Sequence, residues 1–282
     1  MIATFLLNLW NRYFGETLRK IEADSLADRQ SAAGRGPDWK TVAVLLTVAV
    51  CLTLQNYTGH PTRVKPAFEF IANAVGGPES ETAVRQKLDK WGNSQSDSLA
   101  WWAACAVLNY TLIPLLVIKL GFRESIGNYG TKVRGIHKSW PIYAAFVAVM
   151  VPLVAIFSGE ERFQETYPFY RVSNRDQING DFFRWELLYA LQFVALEFFF
   201  RGFIVHGTKH RFGLYSVFVM TIPYCMIHYQ KPAPEAAASI IAGVALGFVS
   251  LTTRSVWLGA ALHISVAWSM DTATLTRRGL LW

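Results

Sequence analysis

Residues 182–206 read FFRWELLYALQFVALEFFFRGFIVH, and this stretch decides the fold class of the chain. It is long enough to cross a hydrocarbon core of roughly 30 Å, which takes about 20 predominantly apolar residues in a helix. Lipid offers free backbone groups no hydrogen-bond partner, so such a segment can span only as a helix. The stretch nevertheless contains Glu197 and Arg201. Ionisable side chains inside apolar spans are costly, and they indicate a functional site.

Other apolar runs along the chain have the same character, and 52% of all residues are hydrophobic. We therefore predict an all-α fold, a polytopic transmembrane helix bundle with about seven spans (roughly six to eight) and amphipathic interfacial helices. The last four spans follow one another through short connections, so neighbouring helices should pack antiparallel. The predicted spans are residues 41–57, 99–118, 141–157, 182–206, 214–228, 236–252 and 256–273.

The spans divide the chain into three parts. Residues 1–40 form an N-terminal interfacial and cytoplasmic segment, in which 1–16 are predicted as an amphipathic helix and 17–40 as a mobile polar stretch. Residues 41–180 hold the first spans and their polar loops, and residues 181–282 form a four-helix core.

The formal net charge of +7 comes from basic residues that lie mostly between the apolar runs. This distribution indicates membrane orientation and anionic lipid headgroups, and it gives no reason to predict nucleic-acid binding. The basic loop 119–140, residues 209–211 and Arg254 fall on one side of the membrane if the N-terminus is cytoplasmic, which is the orientation that the positive-inside rule favours. Several acids in the loop 159–181 then lie outside.

Three spans each contribute ionisable or polar residues that can carry chemistry. Glu197 and Arg201 are four residues apart and share a helix face. A structural ion pair is one interpretation, and a carboxylate held ready for reaction is the other. His228 closes the next span, Tyr224 lies one turn before it, and His263 lies in the last span.

A carboxylate and a histidine can together activate a water molecule as a general base, and a second histidine can stabilise the oxyanion. We predict no cofactor and no metal, because His228 and His263 lie on different spans without the spacing of a zinc motif. Cys51, Cys105 and Cys225 each lie inside an apolar run, as small buried hydrophobic residues do.

The run EFFFRGF from Glu197, then Tyr224 and His228, then His263, resembles the CAAX protease and bacteriocin-processing family. These intramembrane glutamic proteases are related to the endopeptidase that trims prenylated proteins. The resemblance covers about residues 180–275. It implies that a glutamate and His228 activate water, that Arg201 holds the glutamate, and that His263 forms part of an oxyanion site. It also implies an integral protein of a bacterial inner (plasma) membrane.

Two positions depart from the family pattern. The pattern has two adjacent glutamates, but the first falls on Leu196, so that only Glu197 matches. Ala267 stands where the pattern has an asparagine or a similar residue. Glu235 and Asp271 are possible supporting residues, although Glu235 also suits the N-terminal end of a helix. Glu186, on the same helix face as Glu197, is too far along the axis to replace it.

The leading hypothesis is a membrane-embedded, metal-independent peptidase that cleaves membrane-anchored or prenylated-type protein or peptide substrates, with Glu197 as the base. The alternative is a catalytically inactive relative that acts as a scaffold, immunity factor or chaperone. A transporter with Glu197 in a proton path is a third hypothesis, and the lack of internal repeats counts against it. The sequence predicts no oligomeric state.

Overall fold

The computed structural model describes residues 15–32, 36–92, 94–133 and 136–281. Most of the predicted interfacial helix at residues 1–16 lies outside these ranges. The described chain is helical, in agreement with the predicted fold class, and it contains no strand beyond one isolated bridge between Thr131 and Ser255. The helices are α1 Glu16–Ser31, α2 Trp39–Thr58, α3 Pro61–Gly92, α4 Gln95–Phe122, α5 Trp140–Phe157, α6 Glu161–Thr166, α7 Gly180–Glu197, α8 Ser216–Met226, α9 Ala233–Thr253 and α10 Trp257–Arg277.

Five helical runs among the described residues are long and apolar enough to cross a membrane, so the predicted count of about seven spans is not confirmed. Two predicted spans fall within the range Gly180–Met226, which counts once among the five, although the chain turns back at Gly213, with φ 54° and ψ −128°. The last predicted span, in α10, is not among the five, since polar residues such as His263 and Asp271 interrupt its apolar character. Five such helices suggest an integral membrane protein.

The run from α7 continues without a break as a π-helix, Phe198–His206, and then as the short helix Gly207–Phe212. Every residue of the π-helix is buried. Its aromatic rings form the centre of the main apolar cluster, where Phe199 stacks on Tyr110 of α4 with 4.8 Å between ring centroids. Long π-helical stretches are rare and occur frequently at functional sites.

Close helix packing holds the candidate site from the other side. Helix α9 packs along α8, and the small residues Gly243 and Gly247 lie in this contact. A Cβ atom on Gly247 would lie 2.6 Å from Val217 Cγ1, so the two helices approach more closely than a larger residue would allow. Helix α10 packs against both α5 and α7. These contacts bring one polar face each of α7, α8 and α10 together.

Residues 17–40 were predicted to be a mobile stretch, and this prediction is wrong for Glu16–Ser31. Helix α1 packs against Gly207–Phe212. The hydroxyl of Ser25 donates to the carbonyl of His210 at 3.1 Å, and the carboxylate of Glu22 accepts from the backbone N–H of Leu214 at 3.1 Å. The polar composition of this stretch suggested a solvated chain. The hydrogen bonds that hold it join residues far apart in sequence, so no local pattern predicts them.

Candidate active site

The centre of the site is a buried ion pair at the junction of α7 and the π-helix. Arg201 Nη1 lies 2.9 Å from Glu197 Oε1, and the two side chains are 0% and 1% exposed. Replacing a buried pair with apolar residues is often neutral or stabilising, so packing alone gives little reason to keep one. The pair therefore remains a candidate for function as well as for structure.

His263 of α10 joins the pair directly. Its Nδ1 lies 2.9 Å from Glu197 Oε1, the same oxygen that Arg201 approaches. Its Nε2 lies 2.9 Å from the hydroxyl of Tyr224 in α8. The guanidinium of Arg201 in turn lies over the Tyr224 ring, 4.0 Å from its centroid. Three helical segments distant in sequence thus supply one connected network of four predicted site residues.

Two neighbours fix the geometry of this network. Gly259, one turn before His263, faces the carboxylate, and a Cβ atom there would lie 2.7 Å from Glu197 Cδ. Only glycine leaves this space to the glutamate. Phe193, one turn before Glu197, stacks on the His263 ring with 5.3 Å between centroids and an interplanar angle of 2°. The imidazole is therefore held by its ring face as well as by its two nitrogens.

His228 lies beyond the end of α8, beside Tyr224, with 4.8 Å between the ring centroids. Its Nδ1 is 2.8 Å from the Tyr224 carbonyl oxygen, and because a carbonyl only accepts, Nδ1 carries the proton. Its Nε2 is then a free acceptor. Burial, with a smaller effect from Lys231, lowers the pKa of His228 to about 3 and keeps the ring neutral. Among the described residues, no hydrogen bond or ion pair joins His228 to Glu197.

The predicted supporting residues lie elsewhere. The carboxylate of Glu235 accepts from Lys231 Nζ at 2.6 Å and from the Tyr167 hydroxyl at 2.7 Å, and these contacts occupy both of its oxygens. Asp271 lies further along α10 and does not contact Glu197. Tyr224, by contrast, belongs to the network itself through its contacts to His263 and Arg201.

Asp271 instead lies next to Glu186 of α7. All four carboxylate oxygens are buried, and no donor from the described residues reaches them. From the sequence, Glu186 was considered only as a replacement for Glu197, and its position next to Asp271 was not predicted. The available signal was that both residues interrupt apolar helices that were predicted to pack together.

The two positions that depart from the family pattern, Leu196 and Ala267, also lie in apolar surroundings. Leu196 packs against the main apolar cluster, and Ala267 is buried in a second cluster beside α7. Neither position offers a polar group to the network. Glu197 is therefore the carboxylate that the described part of the chain presents to His263.

The decisive comparison concerns this part of the chain. Residues 178–269 match the Rce1-like family of type II CAAX prenyl endopeptidases. The match confirms the family resemblance, and it includes Glu197, Arg201, Tyr224 and His263 as well as His228. No curated protein and no solved structure matches the chain. The Rce1-like match suggests a membrane endopeptidase.

Proposed function

We propose that the protein is a membrane-embedded endopeptidase that hydrolyses membrane-anchored or prenylated-type substrates without a metal. The observation that carries this proposal is the contact of one buried carboxylate, Glu197, with both Arg201 and His263 at 2.9 Å. A carboxylate that contacts an imidazole nitrogen orients the ring and stabilises the imidazolium ion that forms when the ring takes a proton. The Rce1-like match over the same residues supports a peptidase in particular.

In the proposed reaction, His263 Nδ1 carries its proton on the side of Glu197 Oε1, 2.9 Å away, which leaves Nε2 as a proton acceptor. Water replaces the Tyr224 hydroxyl at Nε2 and gives its proton to that nitrogen while its oxygen attacks the amide carbon. The proton then passes to the leaving nitrogen as the C–N bond breaks. Arg201 supplies the countercharge for Glu197, and His228 Nε2 is a second acceptor facing the substrate. The resemblance implied an oxyanion role for His263, whereas its contact with Glu197 supports a role in the base.

The test is cleavage of a prenylated, membrane-anchored fluorogenic peptide by purified protein in nanodiscs. Glu197→Gln should lower kcat by about 10⁴-fold, the size of the loss when the carboxylate that orients a catalytic histidine becomes an amide. The matched control is Glu81→Gln, which alters an ion pair with the same four-residue spacing at an exposed position and should retain full activity. Full activity of Glu197→Gln would overturn the proposal.

The second candidate is a non-catalytic membrane protein that binds such substrates without cleaving them. The observation that favours it is Leu196, an apolar residue packed in the apolar cluster where the family pattern has a glutamate. In this case the wild-type protein binds the peptide and leaves it intact, and His263→Ala does not alter any processing event in cells. Turnover by the wild-type protein that is lost in Glu197→Gln would exclude this candidate.

We also propose that the protein lies in a bacterial inner (plasma) membrane with its N-terminus in the cytoplasm. The basic residues at the end of Gly207–Phe212 and at Arg254 support this orientation, since cytoplasmic ends of spans are enriched in lysine and arginine. A fluorescent protein that matures only in the cytoplasm, fused to the N-terminus, should fluoresce. A dark but membrane-inserted fusion would reverse the orientation.

A further inference from the structure

A second polar cavity lies away from the candidate active site, where three membrane helices end. It has a volume of about 400 Å³. Helix α2 begins beside it at Trp39, α4 ends beside it at Phe122, and α9 ends beside it at Thr253. Six of the lining side chains are basic when both histidines, His206 and His210, are counted, and the only acidic one among the described lining residues is Glu124. The four lysine and arginine residues are Lys40, Lys132, Lys209 and Arg254.

Part of this charge is already compensated. Lys40 Nζ lies 2.7 Å from the carboxylate of Glu124, which also accepts from the Tyr129 hydroxyl at 2.8 Å. Burial raises the pKa of Glu124, but the hydrogen bonds from Lys40 and Tyr129 outweigh it and hold that pKa below its ordinary value. His210 is paired in the same way, with its Nε2 2.9 Å from Asp38.

Three cations remain without a counterion. Lys132, Lys209 and Arg254 form no ion pair with any acidic residue in the described part of the chain. Like charges that face one cavity repel each other, and a bound anion relieves that repulsion. The composition of the cavity therefore requires an anion of more than one negative charge, or one with several acceptor oxygens.

The cavity is preorganised to hold such an anion. Lys209 Nζ donates to His206 Nδ1 at 3.2 Å, and His206 Nε2 contacts the hydroxyl of Ser250 at 3.1 Å, so the lysine is anchored to a buried ring. On the opposite wall, the backbone N–H of Val256 donates to the Gly130 carbonyl at 2.7 Å. This bond ties the loop that carries Lys132 to the turn that carries Arg254.

The cavity also lies at the level of the membrane interface. Trp39 and Trp257 begin α2 and α10 at this end of the bundle, and their side chains are 71% and 37% exposed. Tryptophan is enriched where membrane helices meet the headgroups. A cavity that opens at this level can receive a ligand either from the lipid headgroup layer or from the aqueous phase.

We propose that this cavity is a binding site for a phosphate group, distinct from the candidate active site. Lysine and arginine form charge-assisted hydrogen bonds with phosphate oxygens, and arginine does so with two parallel donors. The same chemistry fits the phosphate of an anionic phospholipid headgroup and a free phosphate ion. The site is separated from Glu197 along α7 and its π-helical continuation, so it does not depend on the peptidase proposal.

The test uses two probes and two matched pairs of substitutions. The purified protein is placed in phosphatidylcholine nanodiscs, and its Tm is followed as phosphatidylglycerol replaces part of the lipid, or as inorganic phosphate is added. The site variant is Lys132→Gln with Lys209→Gln. The control is Lys87→Gln with Lys90→Gln, two exposed lysines of α3 that lack an acidic partner in the described structure and give the same change in net charge.

We expect a saturable rise in Tm for the wild-type protein and for the Lys87/Lys90 control. The Lys132/Lys209 variant should need at least about tenfold more probe, since two charge-assisted contacts are lost. A rise with phosphatidylglycerol alone assigns the headgroup as the ligand, and a rise with inorganic phosphate as well assigns the free ion. If the Tm of both variants shifts equally, the effect comes from general surface charge and the proposed site is overturned. The proposal is also overturned if neither probe shifts the Tm of the wild-type protein.

The folding of the variants is checked separately. Both double variants should have a cooperative transition in phosphatidylcholine alone. If the Lys132/Lys209 variant lacks one, the single substitution Arg254→Gln takes its place, because Arg254 is exposed at the mouth of the cavity. An unchanged probe response in that variant would also overturn the proposal.

Discussion

Replacing Arg201 with methionine should destabilise the protein severely, because it removes the countercharge of a carboxylate that is 1% exposed. Breaking a buried pair by removing one partner costs about 3–5 kcal/mol, since the other charge stays buried. Methionine would also remove the cation–π contact of the Arg201 guanidinium with the Tyr224 ring, which adds to the loss of stability. At roughly 2–4 °C per kcal/mol for a soluble chain somewhat smaller than this one, Tm should fall by about 6–20 °C.

Two further variants show whether this loss of stability comes from the buried, unpaired charge. Arg85→Met breaks a pair with Glu81 of the same spacing and the same 2.9 Å distance, and a second pair with Glu69 at 3.3 Å, but the arginine side chain is 55% exposed. Its cost should be at most about 1 kcal/mol. The double variant Glu197→Gln with Arg201→Met removes both charges and should recover much of the lost stability, because no bare charge remains.

Thermal unfolding of the purified protein in one detergent, followed by intrinsic fluorescence, measures all three variants. The reasoning is refuted if Arg201→Met unfolds within about 1 °C of the wild-type protein, or if the double variant is less stable than the single one. In either case the Glu197 carboxylate would have to be solvated or protonated, and it could not serve as the charged partner of His263.

Three further predictions concern the surroundings of the two sites. Gly259→Ala should displace the Glu197 carboxylate and lower peptidase turnover more than it lowers Tm, measured on the same preparation. Gly247→Leu should lower Tm by separating α8 from α9, since Val217 already fills the space. Glu124→Gln should reduce stability at pH 7. Because the folded-state pKa of Glu124 is lowered, its contribution is present above its ordinary pKa and disappears as pH falls through the lowered value, so the variant should lose less stability than the wild-type protein between pH 7 and acid.

The Gly259 prediction has a matched control, and the Gly259 and Glu124 predictions each have an outcome that would contradict them. Gly180→Ala adds the same methyl group where nothing lies within 4 Å, and it should leave turnover unchanged. A pH profile of Glu124→Gln that parallels the wild-type profile would contradict the pairing with Lys40. Unchanged turnover in Gly259→Ala would mean that the position of the carboxylate does not limit the reaction.

The sequence predicted the local features of the fold well and the long-range ones poorly. Apolar runs identified the helices because a membrane span is a local property of about 20 residues. The count of spans depended on whether residues 207–213 break the helix. The chain leaves helical geometry at Gly213, with φ 54° and ψ −128°, and α8 packs back against the π-helix. The docking of α1 and the pairing of Glu186 with Asp271 depend on contacts between distant segments, which no local pattern encodes.

The same distinction holds at the candidate active site. The four-residue spacing was enough to predict the contact of Glu197 with Arg201, because a helix fixes it. The contact of His263 with Glu197 required the packing of α10 on α7, and it was not predicted. Motif resemblance grouped the residues correctly but gave no information about which nitrogen faces which oxygen.

These contacts change the roles of the residues within the proposed site. Arg201 and His263 approach the same oxygen of Glu197, so the guanidinium already compensates the charge of the carboxylate. The imidazole that it orients is then the better proton acceptor. With Leu196 in the place of the first glutamate, a single carboxylate must both anchor the histidine and stabilise its positive charge. His263→Gln should therefore lower kcat about as much as Glu197→Gln does on the same peptide, since either change removes the oriented imidazole.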